Sequence, residues 1–130
     1  NIPEIVGIIE AVGNDRLGVA WDVANSWRHG HRAWPGQYPM IKGKVYDIHV
    51  KDAFFNEDRT QQVKLTHIDL GEIPWPEIFR QLLDDGYDGV ASVETHLFAD
   101  HEPRHRWLQP ATIDALRNLN RVLAEVQGVI

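Results

Sequence analysis

The sequence predicts an α/β fold of about three βα units with parallel strands, a prediction carried by the order and patterning of its apolar segments. Short apolar runs at Leu17 to Asp22, Val45 to Lys51 and Val90 to Glu94 each end in polar or charged residues. Helical periodicity precedes the first run and follows the second and third. Each run also splits by face. Ala20, Asp47, His49 and Ser92 alternate with Val19, Trp21, Ile48, Val50, Ala91 and Val93, so one face is small or polar and the other apolar. A flat sheet covered on both sides would be apolar on both faces, whereas a sheet curled into a barrel, with helices outside, produces this split.

Taken in order, Pro3 and Glu4 open a first helix in which Ile5, Ile8, Ile9 and Val12 form the expected buried stripe, and Gly13 ends it. Leu17 to Asp22 is the first strand. Between it and the second strand only Gln37 to Gly43 has the pattern of a short helix, and the remainder is an excursion rich in Trp, His and Gly. A long loop follows the second strand. Pro76 and Glu77 then open a helix with Ile78, Phe79, Leu82 and Leu83 on one side, closed by Gly86-Tyr87-Asp88-Gly89. After the third strand Pro110 starts a last helix, with Ile113, Leu116, Leu119, Leu123 and Val126 as its stripe. With no repeat or linker, residues 1–130 read as one domain or part of one.

A hydrophobic content of 43% suffices for a packed core. The absence of cysteine excludes disulfides and thiolate metal sites, and makes the cytoplasm the expected location. A net charge of -6 without a Lys/Arg run argues against nucleic acid as partner. No apolar stretch approaches the roughly 20 residues that span a bilayer, so no membrane association is expected. Asn1-Ile2-Pro3 leads almost directly into a helix and the one methionine is Met40, so the expectation is that an N-terminal part has been lost.

Parallel strands share one direction, so Asp22, His49 and Glu94 should converge at the rim formed by their C-terminal ends. Two carboxylates and an imidazole suit Mn²⁺, Mg²⁺, Co²⁺ or Zn²⁺. Each residue alone has a blander reading: Asp as a helix cap, His as a hydrogen-bonded strand residue, Glu as a solvated one. Three together at successive strand ends favour a site.

Trp21-Asp22-Val23-Ala24-Asn25, Ile48-His49-Val50-Lys51-Asp52-Ala53, Leu70-Gly71-Glu72 with Ile73-Pro74-Trp75, and Gly86-Tyr87-Asp88-Gly89 with Ser92-Val93-Glu94-Thr95-His96 resemble the xylose isomerase-like TIM barrel superfamily. The resemblance covers nearly the whole chain and corresponds to the last three strands of a (β/α)8 barrel, its C-terminal part. It implies a metal-binding Asp22 and His49, a metal-binding and catalytic Glu94, and a Lys51-Asp52 element like that of the isomerase and inosose dehydratase branches. Asn25 stands where many epimerases of the family have a substrate-contacting His, which disfavours a standard ketose 3-epimerase. A further metal-ligating Glu of the family lies upstream of this chain, so the fragment is expected to be inactive alone.

The activity implied is a metal-dependent sugar, sugar-phosphate or polyol isomerase or epimerase working through a metal-stabilised enediolate. Lys51 would stabilise the developing oxyanion as a catalytic and substrate-binding group, and Asn25 would bind substrate. An inosose dehydratase-type lyase is the close alternative, and an endonuclease IV-type nuclease a weaker one given the acidity. His29, His31, His67, His101 and His105 read as solvated loop residues, while His96 is in reach of the rim. Trp21, Trp27, Trp34 and Trp75 read as packing beneath the long loop, with a sugar-pocket wall as the rival, and Trp107 as structural. Three strands cannot close a barrel, and open sheet edges associate. A homodimer or larger assembly, or tight association with the missing half of the barrel through the exposed sheet edges, is therefore expected, and a cleanly monomeric species in light scattering would contradict it.

Overall fold

Asn1 caps the first helix through a reciprocal capping box, its side chain accepting from the Glu4 N–H at 3.1 Å while the Glu4 carboxylate reaches back to the chain terminus. The computed structural model describes residues 1–57, 61–96 and 105–128. Helix α1 (Ile2–Val12) ends where Gly13 adopts a left-handed φ of 62°. Strand β1 (Val19–Asp22) leads straight into α2 (Val23–Arg28), a turn over Ala33–Gln37 containing a cis Trp34–Pro35 bond, and α3 (Tyr38–Ile41). Then come β2 (Val45–Val50), β3 (Asp52–Phe55), β4 (Gln62–Thr66), α4 (Trp75–Asp84), β5 (Val90–Val93) and α5 (His105–Val126).

Strands β1, β2 and β5 form a parallel sheet in that order, the expected α/β arrangement and one consistent with a partial barrel. Its two faces differ as the sequence predicts. Val19, Trp21, Ile48 and Val50 are buried beneath the helices together with Ile78, Leu82 and Val122, while Ala20 is exposed and Asp47, His49 and Ser92 are half-buried. Trp21 stacks on Tyr38 with ring centroids 5.3 Å apart, which ties α3 to the apolar face.

The helical stripes are rotated from their expected positions. In α1 it is Ile2, Val6 and Ile9 that meet the core, leaving Ile5, Ile8 and Val12 exposed. A helix apolar on two stripes gives periodicity no way to choose between them. In α4, Trp75 joins Ile78, Phe79 and Leu82 in the core, and Leu83 stays exposed. In α5 the buried line is Ala115, Leu119 and Val122, with Leu123 and Val126 beside it, so Ile113 and Leu116 lie outside. That helix also starts at His105, with Pro110 inside it rather than at its head. Proline removes one backbone bond from a helix, and here the helix continues through it.

Two elements had no counterpart in the expected order. Helix α2 follows β1 without a loop, capped by Asp22. The long loop after β2 contains an antiparallel hairpin of β3 and β4, in which Ala53 and Phe55 point into the core while Phe54 and Lys64 face out. Beyond this hairpin the segment Ile68 to Ile73 wraps around one side chain. Asp52 is 1% exposed, and its carboxylate accepts from the N–H groups of Ala53, Asp69, Gly71 and Ile73 at 2.8, 3.0, 3.1 and 3.2 Å. Gly71 is required for this approach, because a Cβ there would overlap the carboxylate.

Removing this acceptor leaves four donors short of a partner, so Asp52→Ala should cost on the order of 3 kcal/mol in chemical denaturation at neutral pH. Burial pushes the Asp52 carboxyl up from 3.8 to about 6, against the pull of its four donors. A folded-state pKa raised in this way means the native chain holds the proton more tightly, so its contribution is full below 3.8 and is lost as pH rises through about 6. The stability gap between wild type and Asp52→Ala should therefore widen as pH falls across that window.

Candidate metal centre

The parallel register places Asp22 directly opposite His49, and Val50 opposite Val93. Glu94 follows immediately after β5 and is held to β2 by its N–H, which donates to the Val50 carbonyl at 3.0 Å. All three side chains thus reach the same rim, where one ligand atom from each lies within 4.8 Å of the others.

Asp22 divides its two oxygens. Oδ1 accepts from the Asn25 N–H at 2.8 Å and so caps α2, realising the helix-cap reading, while Oδ2 accepts from Lys51 Nζ at 2.8 Å and from Asn25 Nδ2 at 2.5 Å. His49 turns Nδ1 toward the carboxylates, 3.2 Å from Glu94 Oε1 and 3.8 Å from Asp22 Oδ2. Its Nε2 lies 3.4 Å from Asp47 Oδ2, and the Ser92 hydroxyl donates to Asp47 Oδ1 at 2.8 Å. Lys51 Nζ also donates to Glu94 Oε2, and His96 Nε2 lies 3.4 Å from that oxygen. Burial pushes the Glu94 carboxyl up, but the Lys51 hydrogen bond and charge, with smaller help from His96 and His49, outweigh it and hold the group below its usual range.

This donor set fits a divalent cation. Two carboxylates and one imidazole converge, half-buried, from three rigid strand ends, and the imidazole is backed by a carboxylate on its far nitrogen, the arrangement that orients metal-ligating histidines. Three protein donors leave coordination positions open.

The structure thus brings Asp22, His49, Glu94 and Lys51 together, with Asn25 on Asp22 and His96 on Glu94. His29 and His31 instead line a second cavity on the β1 side, which Asp22 and Asn25 also border. Trp21, Trp27 and Trp75 are buried in the core and Trp34 packs against it, which is the packing role. His101 lies outside the described residues, as do the side chains of His105 and Trp107. Sequence reasoning assigned no role to Asp47 or Ser92, although Asp47 shares the face of His49 at i−2 and Ser92 is its cross-strand neighbour. It also passed over Arg28 and Gln62, which with Asn25, Lys51, Glu94 and His96 line a cavity of about 310 Å³ beside the rim.

A family model described as xylose isomerase-like TIM barrel matches residues 1–119. The chain belongs to the xylose isomerase-like TIM barrel family. That superfamily includes sugar isomerases and epimerases. A solved structure, the xylose isomerase domain protein from Planctomyces limnophilus, is similar with a TM-score of 0.73 and 22% identity, covering 98% of this chain and 45% of that one. At this identity the likeness concerns the fold, and the chain spans less than half of its neighbour's length. No protein of curated function matches the sequence. Among the described residues of this xylose isomerase-like chain, no helix is long and apolar enough to cross a membrane.

If Asp22, His49 and Glu94 hold an ion, calorimetric titration with Mn²⁺ should show binding that His49→Ala removes. Equal binding by the variant would place the ion elsewhere.

Proposed function

We propose that this chain carries the metal-ligating rim of an isomerase or epimerase acting on a small sugar or polyol. The observation that carries the reading is the convergence of Asp22, His49 and Glu94 within 4.8 Å at the C-terminal ends of three parallel strands. Family membership supports it, and so does the adjoining cavity of about 310 Å³, which lies at the small end of ligand pockets.

Asp22, His49 and Glu94 would hold a divalent ion, which would supply a Lewis acid for negative charge developing on a substrate oxygen, a contribution of several kcal/mol. Glu94 is the group that moves a proton. The nearby Lys51 charge keeps its carboxylate ionised, so that it is ready to accept a proton from a substrate carbon. Lys51 lines the same cavity, so that its ammonium, once released from the two carboxylates, would face an oxyanion there. Asn25 fixes Asp22 through both its backbone and side-chain N–H groups and lines the cavity where substrate would bind. Asp47, steadied by Ser92, holds the His49 ring in place.

Proton abstraction from carbon leaves a mark independent of which sugar reacts, namely exchange of that hydrogen with solvent. The full-length protein supplied with Mn²⁺ should incorporate deuterium from D₂O into one member of a panel of aldoses, ketoses and inososes, followed by NMR. Glu94→Gln should slow this by at least about a hundredfold. Undiminished exchange in the variant would remove Glu94 from the proton transfer.

A further inference from the structure

Lys51 and Arg28 both line the cavity beside the rim, but they are held differently. Arg28 is exposed on the six-residue α2. Lys51 is nearly buried, with 8% of its side chain accessible, and its ammonium bonds to Asp22 Oδ2 at 2.8 Å and to Glu94 Oε2. One nitrogen therefore joins the two carboxylates of the candidate ligand set, in the space between strand ends that those carboxylates enclose. Carboxylates brought this close repel each other unless a cation lies between them. In the chain as described, that cation is the lysine's own.

We propose that Lys51 is the resident counter-ion of this centre: it holds Asp22 Oδ2, the oxygen that Asp22 turns toward His49 and that a divalent ion shared with His49 and Glu94 Oε1 would take, so that loading the ion and keeping both lysine bonds exclude one another. The inference rests on the reading of Asp22, His49 and Glu94 as ligands. The chemistry of the side chain suits the role. An ammonium is a compact point charge with three equivalent donors on a flexible four-carbon stem, so it can satisfy two carboxylates and yet withdraw by side-chain rotation alone. A guanidinium, planar and forked, could not leave so easily. The cavity lined by Asn25, Arg28, Gln62 and His96 gives the withdrawn ammonium a place to go. Lys51 is then delivered to the substrate side of the rim only when the ion is in place, which couples metal loading to readiness for substrate. The backbone of Lys51 stays fixed meanwhile, since its carbonyl accepts from Trp75 Nε1 at 3.2 Å in the buried core.

The test is Mn²⁺ affinity, read by electron paramagnetic resonance of the free ion, for wild type, Lys51→Met, Lys51→Gln and Arg28→Met, each checked for folding by circular dichroism. Loss of the competing ammonium should tighten Mn²⁺ binding by about tenfold or more in both Lys51 variants. Arg28→Met removes a positive charge from the same cavity without touching the carboxylate pair, and should change affinity by less than about threefold. Equal effects at Lys51 and Arg28 would mean that Lys51 acts only through its field, and the competition would be refuted. Weaker binding in the Lys51 variants would show that the lysine organises the ligands for the ion, which also overturns the proposal. If wild type binds Mn²⁺ no better than His49→Ala, both the inference and the metal reading beneath it fail. Wild-type binding that needs His49 but is unchanged in Lys51→Met sinks the inference alone.

Discussion

Parallel pairing of β1, β2 and β5 in a single register is the constraint on which the rim depends. Side chains alternate along a strand, so a slip of one residue in any of the three would carry Asp22, His49 or Glu94 to the helix-covered face and bring Trp21, Ile48 or Val93 to the open one. The apolar face prevents this. Val19, Trp21, Ile48 and Val50 are all buried beneath helices, and exposing such a set costs far more than any bond at the rim can return. The chemistry-bearing residues thus owe their placement to the packing of the residues between them.

The end of β2 extends this logic to consecutive residues. His49 and Lys51 point to the rim, Val50 points to the core, and Asp52 turns into the protein to gather four backbone N–H groups. A buried carboxylate is ordinarily unfavourable, and here it is tolerated because it replaces the hydrogen bonds that a loop lacking regular structure cannot make for itself. Trp75 closes the arrangement by donating to the Lys51 carbonyl. The loop from Ile68 to Ile73, the start of α4 and the stem of Lys51 are therefore fixed by a few contacts around two adjacent residues.

Much of this was legible in the sequence, and the limits have physical causes. The three strands, their parallel order and the split between their faces follow from short apolar runs with period two, and the structure carries them within two residues of the expected bounds. The residues at the strand ends were legible because parallel direction alone brings them to one rim. The hairpin was missed because Asp58, Arg59 and Thr60, with the polar residues around them, mask the alternation of Ala53 and Phe55 with Phe54 and Lys64. Helix α2 was missed because six residues carry too little periodicity to register. The helix stripes were rotated because α1 and α5 each offer more than one apolar face, and only the partners decide which is buried. The four-donor role of Asp52 left no signal at all, since backbone donors are invisible in a sequence.

Asp22 gives its two oxygens to different tasks: one ends a strand and begins a helix, the other holds the charge of Lys51. For an evolving gene this makes the position unusually unforgiving. Asparagine is one base change away and still caps a helix about as well, so such a variant would fold and accumulate normally while its rim had lost a charge. Glutamate, also one base away, keeps the charge but caps poorly. Selection for folding and selection for the rim each admit a different neighbour in the genetic code, and aspartate is where the two sets intersect.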